Sequence, residues 1–373
     1  MRRNTILRYI YKKLIKPILT AHNDPQPVAL GVFIGIFVGT TPSIGIQIPL
    51  AIIVAAIFRA NKIVAAAMTW PANWFTAVPL YWFEQYVGAK ILDLPPLHLD
   101  DIQRLVNEID WKNFWELAGR NLFWPLIIGG VVVALVFAIP WYFLTLWVLS
   151  RRHGHIVRKV RAGLAERKLV LASKSPRRRK LVSEWGYEFE AAEPNVDEPP
   201  LEKFSPAKVA RHHARHKARA AARNYPDAIV VSADTITVLK KKVIGKPADE
   251  ADAERILREL SGTKHSIITA VCAIDTRTGR RIVEEDEAFV RMRPLTDGEI
   301  REYVKSGEAM GKAGAYAVQE TGDKFIISID GNLETVIGLP RSVFENVIYR
   351  LLMKPSRRNR ATVAAAHNAS PQI

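Results

Sequence analysis

The sequence predicts two architectures in one chain: an N-terminal α-helical membrane domain, and a C-terminal α/β domain in which a mixed sheet carries flanking helices. Three observations carry this reading. Residues 27–149 hold three long apolar stretches, at 27–58, 63–92 and 122–149, of the length that bilayer-spanning segments need. From Lys168 onward the texture changes to short apolar runs alternating with capped amphipathic segments. The net charge of +16 is also unevenly placed: residues 1–20 carry +6, 21–150 carry −2, 151–168 carry +6, 169–353 only +2 and 354–373 +4. Positive charge thus collects at the margins of the apolar region, while the C-terminal domain is nearly balanced. That favours a membrane-flanking role over a nucleic-acid-binding one.

The first apolar stretch is interrupted at Thr40-Thr41-Pro42-Ser43, and each arm is too short to cross alone. It is expected to be a re-entrant helix–break–helix hairpin, tolerated only where protein or water satisfies the freed backbone. Stretches 63–92 and 122–149 are expected to be spans. Loop 93–121 is acidic (Asp93, Asp100, Asp101, Glu108, Asp110, Glu116 against Arg104, Lys112 and Arg120), so positive-inside logic puts it outside and both basic flanks in the cytoplasm. Three full spans is the alternative. Residues 2–19 alternate charge with apolar residues at helical spacing and suit a helix on the inner leaflet, not a cleaved signal. Gly31, Gly35 and Gly39 permit close helix approach, within the domain or across a homodimer. Thr40, Gln47, Thr69 and Asn73 are expected to tie the broken helices together. The domain limits read 1–155 for the membrane part, 156–167 for a basic linker, 168–353 for the α/β domain and 354–373 for a disordered tail. The expected location is the inner membrane, multi-pass, with the α/β domain cytoplasmic. Cys272 stands alone, so no intramolecular disulfide is possible, and its apolar neighbours mark a buried, inert thiol.

In the α/β domain the pattern predicts strands at 169–172, 228–233, 266–275 and 282–293. It predicts helices at 176–185, 206–224, 251–260, 297–305 and 340–352, with Thr296 and Glu299 forming a capping box. The most telling segment is K-L-V-L-A-S-K-S-P-R-R-R at 168–179, where a strand feeds the first turn of a helix. Unpaired N–H groups and the positive dipole end there favour phosphate. Ser173 lies in the turn, Ser175 is placed to cap, Pro176 suits the first helical position, and Arg177 and Arg178 offer bidentate forks. Asp234 follows the apolar run A-I-V-V-S-A, so a carboxylate is expected where a buried strand emerges, with Thr235 beside it. Lys246 sits in G-K-P, Glu198 offers a second acid, Lys217 lies on the long helix, and Lys312 and Gln319 frame K-A-G-A-Y-A-V-Q. A phosphate-binding turn, two acids able to hold a divalent cation and several lysines are the parts phosphoryl chemistry requires.

At these residues the chain resembles two families. The pattern P-x-x-L-G-x-x-x-G-x-x-x-G-T-x-P with T-W-P-A-N-W, across residues 15–150, is similar to a small bacterial membrane family of unknown function. Residues 167–353 resemble the Maf family of nucleoside triphosphate pyrophosphatases. The latter rests on S-x-S-P-R-R at 173–178, Glu198, Lys217 in H-K-A-R-A, S-A-D-T at 232–235 and G-K-P at 245–247. It continues through S-G-T-K-H-S-I-I-T-A-V at 261–271, K-A-G-A-Y-A-V-Q at 312–319 and V-I-G-L-P at 336–340. The resemblance implies a Maf/ITPase-like fold and hydrolysis of a nucleoside triphosphate to monophosphate and diphosphate with Mg²⁺ or Mn²⁺. It also implies that Asp234 accepts a proton and that Arg177, Thr235 and Gln319 set base preference, in the form of the subgroup acting on dTTP and UTP. The expected catalytic set is Asp234, Lys246 and Lys217, with Ser173, Ser175, Arg177, Arg178, Thr235, Lys312 and Gln319 binding substrate and Glu198 with Asp234 holding metal. Gly311, Ala317, Glu320 and Leu333 depart from the family pattern in the segment expected to receive the base. The expected partners are a nucleoside triphosphate and the lipid bilayer, with no nucleic acid. The alternative is a catalytically silent, membrane-anchored nucleotide sensor.

Overall fold

A computed structural model describes residues 25–70, 75–95, 118–196, 204–319 and 321–353. The helix expected over 2–19, Asn73, most of the acidic loop, Glu198, Glu320 and the tail lie outside the described residues. The chain divides into two compact units, Met1–His153 and Gly154–Ile373.

In the first unit, α1 (Pro25–Thr40) and α2 (Gln47–Ile57) flank the break expected at residues 40–43. There the Ser43 hydroxyl donates to the Val38 carbonyl at 2.7 Å and the Thr41 hydroxyl to the same oxygen at 2.9 Å. The 63–92 stretch is not one span. It forms α3 (Lys62–Ala67) and α4 (Ala77–Ile91), because Pro71 disfavours helix at the residue before it and removes a donor. Asn61 caps α3, accepting from the Ile63 and Val64 amides at 3.1 and 3.0 Å. The glycine stripe of α1 packs on α3 and the residues flanking it: a Cβ on Gly31 would lie 2.7 Å from the Asn61 carbonyl oxygen, one on Gly35 would collide with the Ala65 carbonyl, and one on Gly39 would lie 2.5 Å from that of Thr69. The close approach is therefore used inside the unit.

Helix α5 (Trp124–Ala165) swallows the 122–149 stretch and continues to Ala165, so the expected basic linker is helical over most of its length. The reason is visible in its spacing: Ile156, Val160 and Leu164 recur every four residues and join the core of the second unit, leaving Arg158 and Lys159 on the outer side. Among the described residues α5 is the one helix long and apolar enough to cross a membrane by length and composition; α1 and α2 are apolar but shorter. The multi-pass arrangement expected from the sequence does not follow from these helix lengths.

Among the described residues the second unit is built on a mixed seven-stranded sheet, ordered β2-β1-β3-β5-β6-β7 with β4 beside β3. Its strands are β1 (Lys168–Ala172), β2 (Glu190–Ala192), β3 (Ala228–Leu239), β4 (Lys242–Ile244), β5 (Lys264–Asp275), β6 (Arg281–Met292) and β7 (Ile326–Asp330). β2 and β3 run parallel to β1, and the remaining pairs are antiparallel. β3 and β5 are buried almost end to end, which is why both read as continuous apolar runs rather than as alternation. The helices are α6 (Pro176–Glu184), α7 (Pro206–Ala222), α8 (Glu250–Leu260), α9 (Asp297–Lys305), α10 (Leu333–Ile337) and α11 (Arg341–Leu352). One face of the sheet meets α7 through Val209, Ala210, Ala214 and Ala218, packed on Ile236, Ile268, Ala270 and Cys272. The other face holds two clusters, one with α6 and α11 around Phe344 and Trp185, one with α8 and α9 around Leu257 and Ile300. Burial pushes the Cys272 thiol up to about 12, so it is inert at neutral pH.

Candidate active site

β1 pairs with β3 only as far as Ala172↔Ser232, while β3 continues and pairs Asp234 with Ala270 of β5. Asp234 was expected to follow a strand. It lies within one, because β5 and β4 keep the later half of β3 in the sheet. The carboxylate nonetheless stands just beyond the end of the parallel neighbour β1, where the turn into α6 leaves a gap. That gap opens into a cleft of ≈ 700 Å³ bordered by Ser173, Ser175, Arg177, Arg178, Lys217, Asp234, Thr235, Lys246 and Lys312. Residues far apart along the chain are brought together here, as expected of a site for a polyanion.

The turn itself differs from expectation in one respect. Ser175 occupies the N-cap position of α6, with Pro176 following, but its hydroxyl makes no capping bond. The Ser173 hydroxyl instead accepts from the Ser175 amide at 3.2 Å. With Ser173 holding the turn from two residues before the cap, no cap side chain fills the first turn of α6. Arg179 braces the turn from outside, donating to the Ser173 carbonyl at 3.0 Å and to Glu193 at 2.9 Å.

Arg178, expected to bind substrate, is committed to the fold. Its guanidinium donates to the carbonyls of Gly338 and Ala233, each at 2.8 Å, and to the Thr235 hydroxyl at 2.9 Å. Thr235 is in turn paired with the Thr269 hydroxyl at 2.9 Å, and Thr269 donates to the Thr335 carbonyl at 2.7 Å. This network fixes one wall of the cleft by joining α6, β3, β5 and α10. Arg177, one residue earlier, makes no hydrogen bond or ion pair among the described residues and faces the cleft.

Asp234 is 3 % exposed, and the Lys217 ammonium donates to its Oδ1 at 2.6 Å. His213 lies one turn before Lys217 on α7, and its Nδ1 stands 3.4 Å from Oδ2, long for a hydrogen bond; Oδ2 has no closer donor among the described residues. Burial pushes the Asp234 carboxyl up. The polar contact with His213, the charge and hydrogen bond of Lys217 and the Arg178 charge pull it down and prevail, holding it below the ordinary carboxylate range. His213 was not among the expected residues. The signal was its i, i+4 spacing from Lys217, which puts both on one helix face.

The remaining lysines come from loops. Gly314, in the segment carrying Lys312, has φ +77, and a Cβ there would lie 2.7 Å from the Thr237 hydroxyl, so only glycine fits. Its amide donates to the Gly245 carbonyl at 3.3 Å, tying the Lys312 segment to the loop that presents Lys246. Tyr316 borders the cleft and is hydrogen-bonded to His265 Nε2 at 2.7 Å behind it. Gln319 is exposed and does not border the cleft; Val318 does, because the 3₁₀ turn at Ala313–Ala315 and the burial of Tyr316 and Ala317 end the approach one residue early.

Mg²⁺ and Mn²⁺ take several oxygen ligands. Among the described residues the cleft offers a single carboxylate, Asp234, already compensated by Lys217, and no group of three acidic, histidine or cysteine side chains lies together. These residues alone do not complete a divalent-cation site, and Glu198, the expected second ligand, lies outside them.

Residues 168–351 match the family described as Maf-like protein. Over 172 residues the chain is 45% identical to a dTTP/UTP pyrophosphatase of Symbiobacterium thermophilum, a match covering 46% of this chain and 88% of the relative. The chain belongs to the Maf-like family. A dTTP/UTP pyrophosphatase of Bdellovibrio bacteriovorus is 42% identical over 185 residues, 48% of this chain and 96% of the relative. One of Aquifex aeolicus is 44% identical over 173 residues, 46% and 90% respectively. The Maf-like match accounts for the second unit. Residues 7–157 match a different family, described as an uncharacterized protein conserved in bacteria.

Proposed function

We propose that the Maf-like domain, residues 168–353, hydrolyses a nucleoside triphosphate to its monophosphate and diphosphate, with dTTP, UTP or a modified nucleotide as substrate. The observation that carries this is the shared cleft of Arg177, Lys217, Asp234, Lys246 and Lys312 beyond the end of β1. These five charged side chains, four of them cationic, suit a triphosphate and a nucleophilic water together. Lys217 fixes Oδ1 of the ionised Asp234, which leaves Oδ2 to orient a water and accept its proton as the oxygen attacks the α-phosphorus. The α–β bridging bond breaks and the diphosphate leaves. Arg177, Lys246, Lys312 and the uncapped first turn of α6 stabilise charge on the phosphate oxygens, worth roughly 10²–10³-fold per donor where one is removed. Asp234 and Glu198 are the residues proposed to hold Mg²⁺ or Mn²⁺, which when bound would neutralise charge on the phosphate oxygens.

The N-terminal unit is read as a membrane anchor for this domain, with the basic flank on the cytoplasmic side. Its surface supports that reading: Phe75, Val78, Val136 and Phe143 are exposed large apolar side chains on a helical unit. Toward the end of the apolar part of α5, Arg151 stacks on Trp147 at 4.1 Å, as aromatic and basic residues do at a headgroup boundary.

The test is diphosphate release by the purified full chain against a panel of triphosphates. Turnover of dTTP or UTP supports the proposal. Tight nucleotide binding without diphosphate release would favour a silent sensor.

A further inference from the structure

We propose that Glu84 is a cation-exchange site inside the N-terminal unit, a buried carboxyl that takes up a proton or an alkali cation as its counter-charge. Glu84 lies in the middle of α4, in the apolar run Y-W-F-E-Q-Y-V-G. It is 0% exposed, and neither carboxylate oxygen has a hydrogen-bond partner among the described residues. That is unusual for a native acid, since buried polar atoms are nearly always paired.

The surroundings explain why no side chain neutralises it. α4 and α5 cross at glycines: a Cβ on Gly88 would collide with the Pro125 carbonyl, and one on Gly129 with the Glu84 backbone. The helices are too close there for a basic side chain to enter. The facing segment of α5, from Trp124 to Ile139, contains no charged residue, and neither do α1 and α2. The carboxyl points toward Gly130, where an added Cβ would stand 3.2 Å from Glu84 Oε2 and 3.1 Å from Pro42 Cδ. Glu84 therefore sits at the junction of α4, α5 and the break between α1 and α2. The titratable neighbour is Tyr81, one turn earlier, whose hydroxyl lies against the backbone of Ser43 and Ile44 at that same break.

An ionised carboxylate cannot stay uncompensated in such a place. A packing residue would be apolar, and a structural tie would be hydrogen-bonded. An acid that is neither points to an exchangeable positive counter-charge, supplied beside a hairpin break whose backbone oxygens are not all absorbed in helix.

The experiment uses the purified full chain in detergent. An apolar carbodiimide, which reacts with protonated carboxyls, is applied in acidic and alkaline buffer, with and without sodium or potassium chloride, and the Glu84 peptide is mapped by mass. Labelling of Glu84 in acidic buffer that falls in alkaline buffer is expected, and the Glu84→Gln chain should carry none on that peptide. Suppression by one alkali salt at fixed pH assigns a metal cation; indifference to salt assigns a proton. Absence of label under every condition overturns the proposal. So does a wild-type melting temperature no more dependent on pH and alkali salt than that of Glu84→Gln.

Discussion

Replacing Lys217 by Met isolates the interaction on which the candidate chemistry depends. The Lys217 ammonium lies 2.6 Å from Asp234 Oδ1, with both side chains largely buried (12% and 5% exposed). Breaking such a pair strands a charge, at a cost of about 3–5 kcal/mol. At roughly 2–4 °C per kcal/mol for a domain of this size, the transition of the Maf-like domain should fall by about 6–20 °C. A second consequence has a definite sign. Asp234 is held below the ordinary carboxylate range, so its contribution to stability is present above the unfolded value and is lost as pH falls through the depressed one. Without Lys217, burial is opposed only by His213 and Arg178, the carboxyl moves up, and the acid limb of both stability and turnover shifts toward higher pH. Scanning calorimetry of the full chain across pH, with the diphosphate assay in parallel, reads both. Adding Asp234→Asn to Lys217→Met should cost less than the two single effects combined, since the partners form one unit. An unchanged melting temperature and pH profile in Lys217→Met would refute the pairing.

Gly314→Ala, at φ +77 and with its new Cβ 2.7 Å from the Thr237 hydroxyl, should lower stability by about 1–3 kcal/mol in denaturant titration and reduce turnover by displacing Lys312. His265 is held down to about 4 by burial, so the fold favours its neutral ring; stability should rise with pH between about 4 and 6.5 and level off above, by about 3 kcal/mol in total. His265→Asn should abolish that slope in melts taken across the window. Arg178→Lys cannot reproduce three hydrogen bonds from one planar group, and should raise KM and destabilise the domain together, in kinetics and melting of the same preparation.

Much of the α/β domain is legible because its signals are local. The Thr296–Glu299 capping box, the Gly-bounded α8 and the apolar runs of β3 and β5 each declare themselves within a few residues. β2 is three residues long and β7 five, and their strand character comes from pairing with β1 and β6 rather than from composition, so neither was expected. The same holds for the site. Arg177 and Lys246 are recognisable by type and by a neighbouring Pro or Gly, Asp234 by the apolar run before it and Lys217 by its place on a long helix, and the four converge. That Arg178 braces the fold, that Ser175 makes no cap bond and that Gln319 turns away depend on carbonyls and turns supplied from distant segments. In the N-terminal unit the break at 40–43 was legible from Pro42 and polar neighbours. The unpaired state of Glu84 was not, since it follows from a crossing of α4 and α5 at glycines.

The most direct test is diphosphate release from dTTP and UTP by the full chain, wild type against Asp234→Asn, with nucleotide binding measured in the same samples. The isosteric change keeps the cleft and removes the proton acceptor, so turnover should fall at least ~10²-fold while binding persists. Equal diphosphate release by the two proteins would contradict the assignment of Asp234 and of the cleft around it.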